Sequence, residues 1–116
     1  MVTIEEMAAS WRLRAAAVQS RVDERARRVR DLLPAAKAML VDRYGARRVV
    51  LFGSFARGDS RESSDVDLAV EGLDGARYFT AMSDLSGLLD SPVDLVELES
   101  AQSSLLERIA FEGVPL

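Results

Sequence analysis

The chain has no cysteine and no histidine. Without cysteine there are no disulfides and no thiolate sites, a composition that suits a reducing compartment such as the cytoplasm. Without histidine there is no imidazole base, no Ser-His-Asp triad and no ordinary zinc site. Proline is scarce (3 residues) and aromatic residues make up 6%. No apolar run approaches the roughly 18–20 residues of a membrane span. The opening MVTIEEMAAS carries two acids and no basic stretch, so it does not read as a secretory signal. Any chemistry therefore rests on carboxylates, hydroxyls, arginine, backbone amides or a hard metal ion.

The 116 residues suffice for one domain with a real core. The net charge of −4 is unevenly spread. Residues 1–50 carry 11 basic and 6 acidic side chains, whereas residues 51–116 carry 4 and 13. An acidic half suits hard cations and argues against direct nucleic-acid binding there. The basic half reads as a solvated helix face.

Ile4, Ala8, Trp11, Ala15, Val18, Val22, Ala26, Val29 and Leu32–Leu33 recur at spacings of three and four. This predicts a long amphipathic N-terminal helix with arginine-rich outer faces. Pro34, tolerated in a first turn, is expected to begin a second helix that Gly45 closes. The chain thus divides into an N-terminal helical extension, 1–33, and a domain over 34–116. Within the latter, Arg48–Phe52 and Val66–Val70 read as strands, 76–90 as a helix, Pro92–Leu98 as a third strand and 101–112 as a last helix. The fold class is α/β (α+β), a small mixed sheet with helices packed on it.

The informative stretch is LFGSFARGDSRESSDVDLAV, residues 51–70. Asp65 and Asp67, two apart on a strand, share one face. Their mutual repulsion calls for a cation, and Mg²⁺ takes hard oxygen ligands from one or two carboxylates plus substrate phosphates. Paired carboxylates of this kind can clamp two such ions. Gly53 permits positive φ and close approach of a ligand to the backbone. Ser54 adds a hydroxyl and an amide where a helical turn starts, a place for phosphate. Arg57 and Arg61 can neutralise triphosphate oxygens. Gly-Ser, ten residues, then Asp-x-Asp arises by chance in about one chain of this length in a thousand. A third carboxylate is expected from Asp94 in SPVDLVEL. Glu97 falls on the opposite face, and Asp90 and Glu99 read as loop acids.

This pattern resembles the signature of the polymerase-β-like nucleotidyltransferase superfamily. VVLFGSFARGDSRESSDVDLAV and the closing ERIAFEGVPL are similar to its minimal branch, the MNT proteins, over roughly residues 35–116. The resemblance implies that Gly53 and Ser54 grip the triphosphate of ATP. It implies that Asp65 and Asp67 ligate both Mg²⁺ ions, and that Asp94 ligates the catalytic one. It also implies a partner, because MNT proteins are often antitoxins of HEPN-domain toxins, which they silence by transferring AMP to a tyrosine. Two other readings remain open: an antitoxin acting by contact alone, and a small-molecule nucleotidyltransferase of the antibiotic-modifying kind. The apolar helix stripe outruns a core of this size. It is expected to bind a partner helix, from a toxin or a second copy, unless the helix breaks near Ser20 and folds back.

Overall fold

A computed structural model describes all residues, Met1–Leu116. Helix α1 spans Ile4–Ala38 and ends on a π-helical turn, Met39–Arg43. Strand β1 (Arg48–Phe52), the short helix α2 (Ser54–Arg57) and strand β2 (Val66–Glu71) follow. A 3-10 turn over Gly75–Arg77 leads into α3 (Tyr78–Leu89). Then come β3 (Val93–Glu97), helix α4 (Ser103–Glu112) and the two-residue strand β4 (Val114–Pro115). The sheet is mixed, in the order β3-β2-β1-β4. β1 runs antiparallel to β2 and β4, while β2 and β3 run parallel, as their connection through α3 requires.

Strand alternation divides the core between two faces. Val49, Leu51, Val66, Leu68, Val70, Val93 and Leu95 pack with Val29, Leu33, Ala36 and Leu40 of the long helix and with Ala81, Leu85 and Leu89 of α3. On the other face, Val50, Phe52 and Ala69 meet Ile109 of α4. Residues i and i+2 of each strand therefore serve one layer, as the pleat dictates.

One expectation about α1 is corrected. Pro34 starts no new helix; it lies inside α1, which runs unbroken across the 33/34 boundary. Proline there costs about 3 kcal/mol through its missing N–H and its ring clash. The exposed Pro34 is flanked by buried Leu33 and Ala36, whose packing holds the turn in place. The helix runs unbroken through Ser20, as the long stripe predicts, and the alternative of a break there is excluded. Its start is fixed by a capping box, in which Thr3 Oγ1 accepts from the Glu6 amide and Glu6 accepts from the Thr3 amide. Gly45, at φ 75°, does close the segment: its amide donates to Val41 O and that of Ala46 to Leu40 O. Thirty-five helical residues extend about 52 Å at 1.5 Å per residue. The molecule is 61 Å long with a radius of gyration of 17.5 Å, against about 13 Å for a compact domain of this length. The helix does outrun the core, as its stripe predicts.

Candidate active site

Parallel pairing of β2 and β3 sets Asp67 directly beside Asp94, and antiparallel pairing sets Phe52 across from Asp67. Adjacent strands lie about 4.8 Å apart, so register alone brings the two carboxylates together. Asp65 precedes β2 and shares Asp67's side of the strand. Asp67 is half-buried, whereas Asp65 and Asp94 are exposed. Partial burial, then the charge of Asp94, raise the Asp67 carboxyl to a pKa of about 6; Asp65 and Glu112 add to the rise and Arg108 opposes it.

β1 ends at Gly53, whose backbone (φ 74°, ψ −157°) turns the chain into α2. A Cβ on Gly53 would stand 2.0 Å from Asp67 Oδ2. The acid thus occupies the space that a side chain at position 53 would fill. Ser54 opens α2 and is half-buried.

The Gly53 turn is held by a residue the sequence does not advertise. Glu112, at the end of α4, accepts from the Gly53 amide at 3.1 Å, from Arg57 Nη1 at 2.7 Å and from Arg108 Nε at 2.9 Å. Its side chain is 10% exposed. The hydrogen bonds from Arg108 and Arg57 hold its carboxyl down at about 2. Arg57 also reaches Asp59 at 3.2 Å, so the structure pairs this arginine with acids at the edge of the turn. Arg61 enters the loop through its backbone: its amide donates to Ser64 Oγ at 2.8 Å, and its exposed side chain is not drawn into the acid cluster.

The loop before Asp65 has a second unforeseen support. Arg25 of α1 donates to Ser91 Oγ at 2.9 Å and to the carbonyls of Glu62 (3.1 Å), Arg61 (3.4 Å) and Ser64. Its guanidinium lies over the Phe55 ring, 5.2 Å from the centroid. One side chain from the extension therefore ties together the loop, α2 and the start of β3. In the sequence Arg25 is one of several arginines beside an apolar stripe that continues through Val22, Ala26 and Val29. The remaining acids behave as expected: Asp90 caps α3 in the left-handed region near Arg28, Glu99 accepts from the Gly72 amide, and Glu97 sits three residues along β3, paired with Val70.

No group of three or more acidic side chains converges into a ready-made metal cage. The donor set nevertheless fits a hard divalent ion. Two carboxylates lie in register, a third is one strand step away, and the repulsion that raises Asp67 is what a cation would relieve. Mg²⁺ needs only one or two protein carboxylates when phosphate oxygens complete its shell.

Comparison with known proteins places the chain in a family. The family described as polymerase beta, nucleotidyltransferase, matches residues 36–116. The protein adenylyltransferase MntA of Thermococcus cleftensis is 35% identical over 89 residues, covering 74% of this chain and 90% of that one. The MntA protein adenylyltransferase of Shewanella oneidensis is 37% identical over 71 residues; the match takes in 59% of this chain and 51% of that protein, about half its length. Among solved structures, a toxin–antitoxin complex with AMP-PNP contains a chain that aligns with a TM-score of 0.62 and 30% identity, over 70% of this chain and 69% of its own.

Proposed function

The chain belongs to the polymerase-β nucleotidyltransferase family, and from that premise we propose that it moves AMP from ATP to a hydroxyl of a protein, as the antitoxin that silences a HEPN-type toxin. The observation that carries this reading is the register of Asp67 with Asp94, with Gly53 bared against Asp67. A protein acting only by contact has no use for unpaired acids held side by side. In this reading residues 34–116 are the catalytic unit, 1–33 are its extension, and both work in the cytoplasm. No helix is long and apolar enough to cross a membrane.

Each residue has a role set by its position. Gly53 and Ser54 receive the triphosphate at the bared turn. Arg57, already oriented by Glu112 and Asp59, offers its guanidinium to phosphate oxygens, and Arg61 supplies charge from the loop. Asp65, Asp67 and Asp94 hold two Mg²⁺ ions. Those ions, when bound, neutralise the phosphates and favour the ionised acceptor and the leaving pyrophosphate. The acceptor oxygen forms its bond to the α-phosphorus as the bond to the bridging oxygen breaks and pyrophosphate departs. The acceptor's proton passes to Asp94 and on to water. The chain's main contribution is position and charge rather than covalent chemistry.

The test is mass spectrometry of a co-purified HEPN-type partner after incubation with the full chain, ATP and Mg²⁺. An added AMP on the partner, lost with Asp67→Asn, is the expected result. A stable complex whose partner stays unmodified would replace this reading with the contact antitoxin.

A further inference from the structure

Before Arg21, α1 makes no hydrogen bond or ion pair with the body of the molecule. Ile4 is 82% exposed, Met7 50% and Trp11 65%. Ile4, Ala8, Trp11, Ala15, Val18 and Val22 alternate steps of four and three residues, a seven-residue repeat that lies on the same face as the buried Val29, Leu33 and Ala36. Large side chains and alanines take turns along this seam. A parallel pair of such helices in register would set Trp11 on Trp11 and leave Ala8 facing Ala8. An antiparallel pair does the reverse, because Ile4 meets Ala15 and Trp11 meets Ala8.

We propose that the Ile4–Val18 segment binds the same segment of a second copy of this chain as a two-fold antiparallel helix pair. Ile4 faces the partner's Ala15, and Trp11 faces the partner's Ala8. Symmetry repeats both layers. Charge complementarity along the seam selects this occupant. Glu5 lies at one flank of the seam and Arg12 at the same flank one heptad later, so antiparallel pairing brings Glu5 to the partner's Arg12, twice. The Arg14 guanidinium lies over the Trp11 ring, 4.8 Å from the centroid, a cation–π contact within the one helix. The first ion pair of α1 with the body, Arg21–Glu62, lies beyond this segment, so the paired stretches stay clear of both bodies.

Sedimentation equilibrium of the full chain tests this. The wild type should dimerise, and the emission of Trp11, the only tryptophan, should move to the blue as concentration rises. Trp11→Glu should weaken association more than about tenfold. Glu5→Arg should weaken it about threefold to tenfold, and Arg12→Glu added to it should restore it. Unchanged helical circular dichroism in each variant shows that the helix itself survives. A wild type that stays monomeric at about 100 μM overturns the proposal, even if the segment proves necessary for binding a different protein. A charge reversal that the second substitution fails to rescue overturns the register.

Discussion

The two sides of the candidate active site are built on opposite terms. On one side, Gly53, Arg57 and Arg108 are all bonded to Glu112, whose carboxyl is held near 2. On the other side, Asp65, Asp67 and Asp94 have only strand register to keep them together, and Asp67 is pushed to about 6. The glutamate side stabilises the fold, and the aspartate side costs it. A site that must receive a phosphate chain and cations needs both: a turn that is already rigid, and acids whose repulsion goes unrelieved until the ligand arrives.

Substitutions should therefore separate activity from stability. Asp67→Asn should lower AMP transfer at least about 100-fold, since even outer-shell changes at metal sites cost 10–100-fold, and should raise the Tm of the ligand-free chain. A mutant that keeps its activity, or that melts lower, would break the contrast. Asp94→Asn should stop turnover while largely sparing nucleotide binding, measured by isothermal titration. Arg25→Ala frees the loop that delivers Asp65, so transfer should fall about tenfold with KM for ATP and kcat both affected. A change in Tm alone would reduce Arg25 to a structural tie.

Glu112→Ala strips three donors of one acceptor and should lower Tm by about 5 °C, the opposite sign to Asp67→Asn. pH sharpens the same contrast. Glu112 has a lowered pKa, so the stability it contributes is complete above about 4.5 and is lost as pH falls towards 2. Asp67 has a raised pKa. Between about 4 and 6 the folded chain keeps a proton that the unfolded chain has released, and ligand-free stability falls as pH rises through that window. Thermal melts from pH 3 to 8 should show this fall in the wild type and not in Asp67→Asn. The smallest effect belongs to Thr3→Ala. Loss of the capping box, about 1 kcal/mol locally, should speed amide exchange in the first turns of α1 and leave transfer unchanged.

The residues proposed to face the ligand were legible in the sequence, because their pattern is local. Gly53-Ser54 and Asp65-x-Asp67 sit at strand ends within one short segment, and Asp94 follows from a strand pattern. The supporting residues were not. Glu112 meets Arg57 across 55 positions, and in sequence it is only an acid at the end of a helix, with Arg108 four residues before it. Arg25 is one arginine among several on α1, and nothing local sets it apart. Pro34 misled because local preference is overruled when the neighbouring turn is buried. β4 is two residues long, below the reach of any periodicity, and is fixed by Leu116 donating to Val49 O.

The long helix also has a mechanical consequence. Its buried packing on the body begins at Val29, with the hydrogen-bonded Arg25 about 6 Å before that fulcrum and Ile4 about 37 Å before it. As a lever it is geared down: a sideways shift at the tip reaches Arg25 at about one sixth of its amplitude. Whatever grips the tip can sway by several ångströms while the loop leading to Asp65 moves by less than one. The tip can thus serve as a handle whose motion barely disturbs the chemistry.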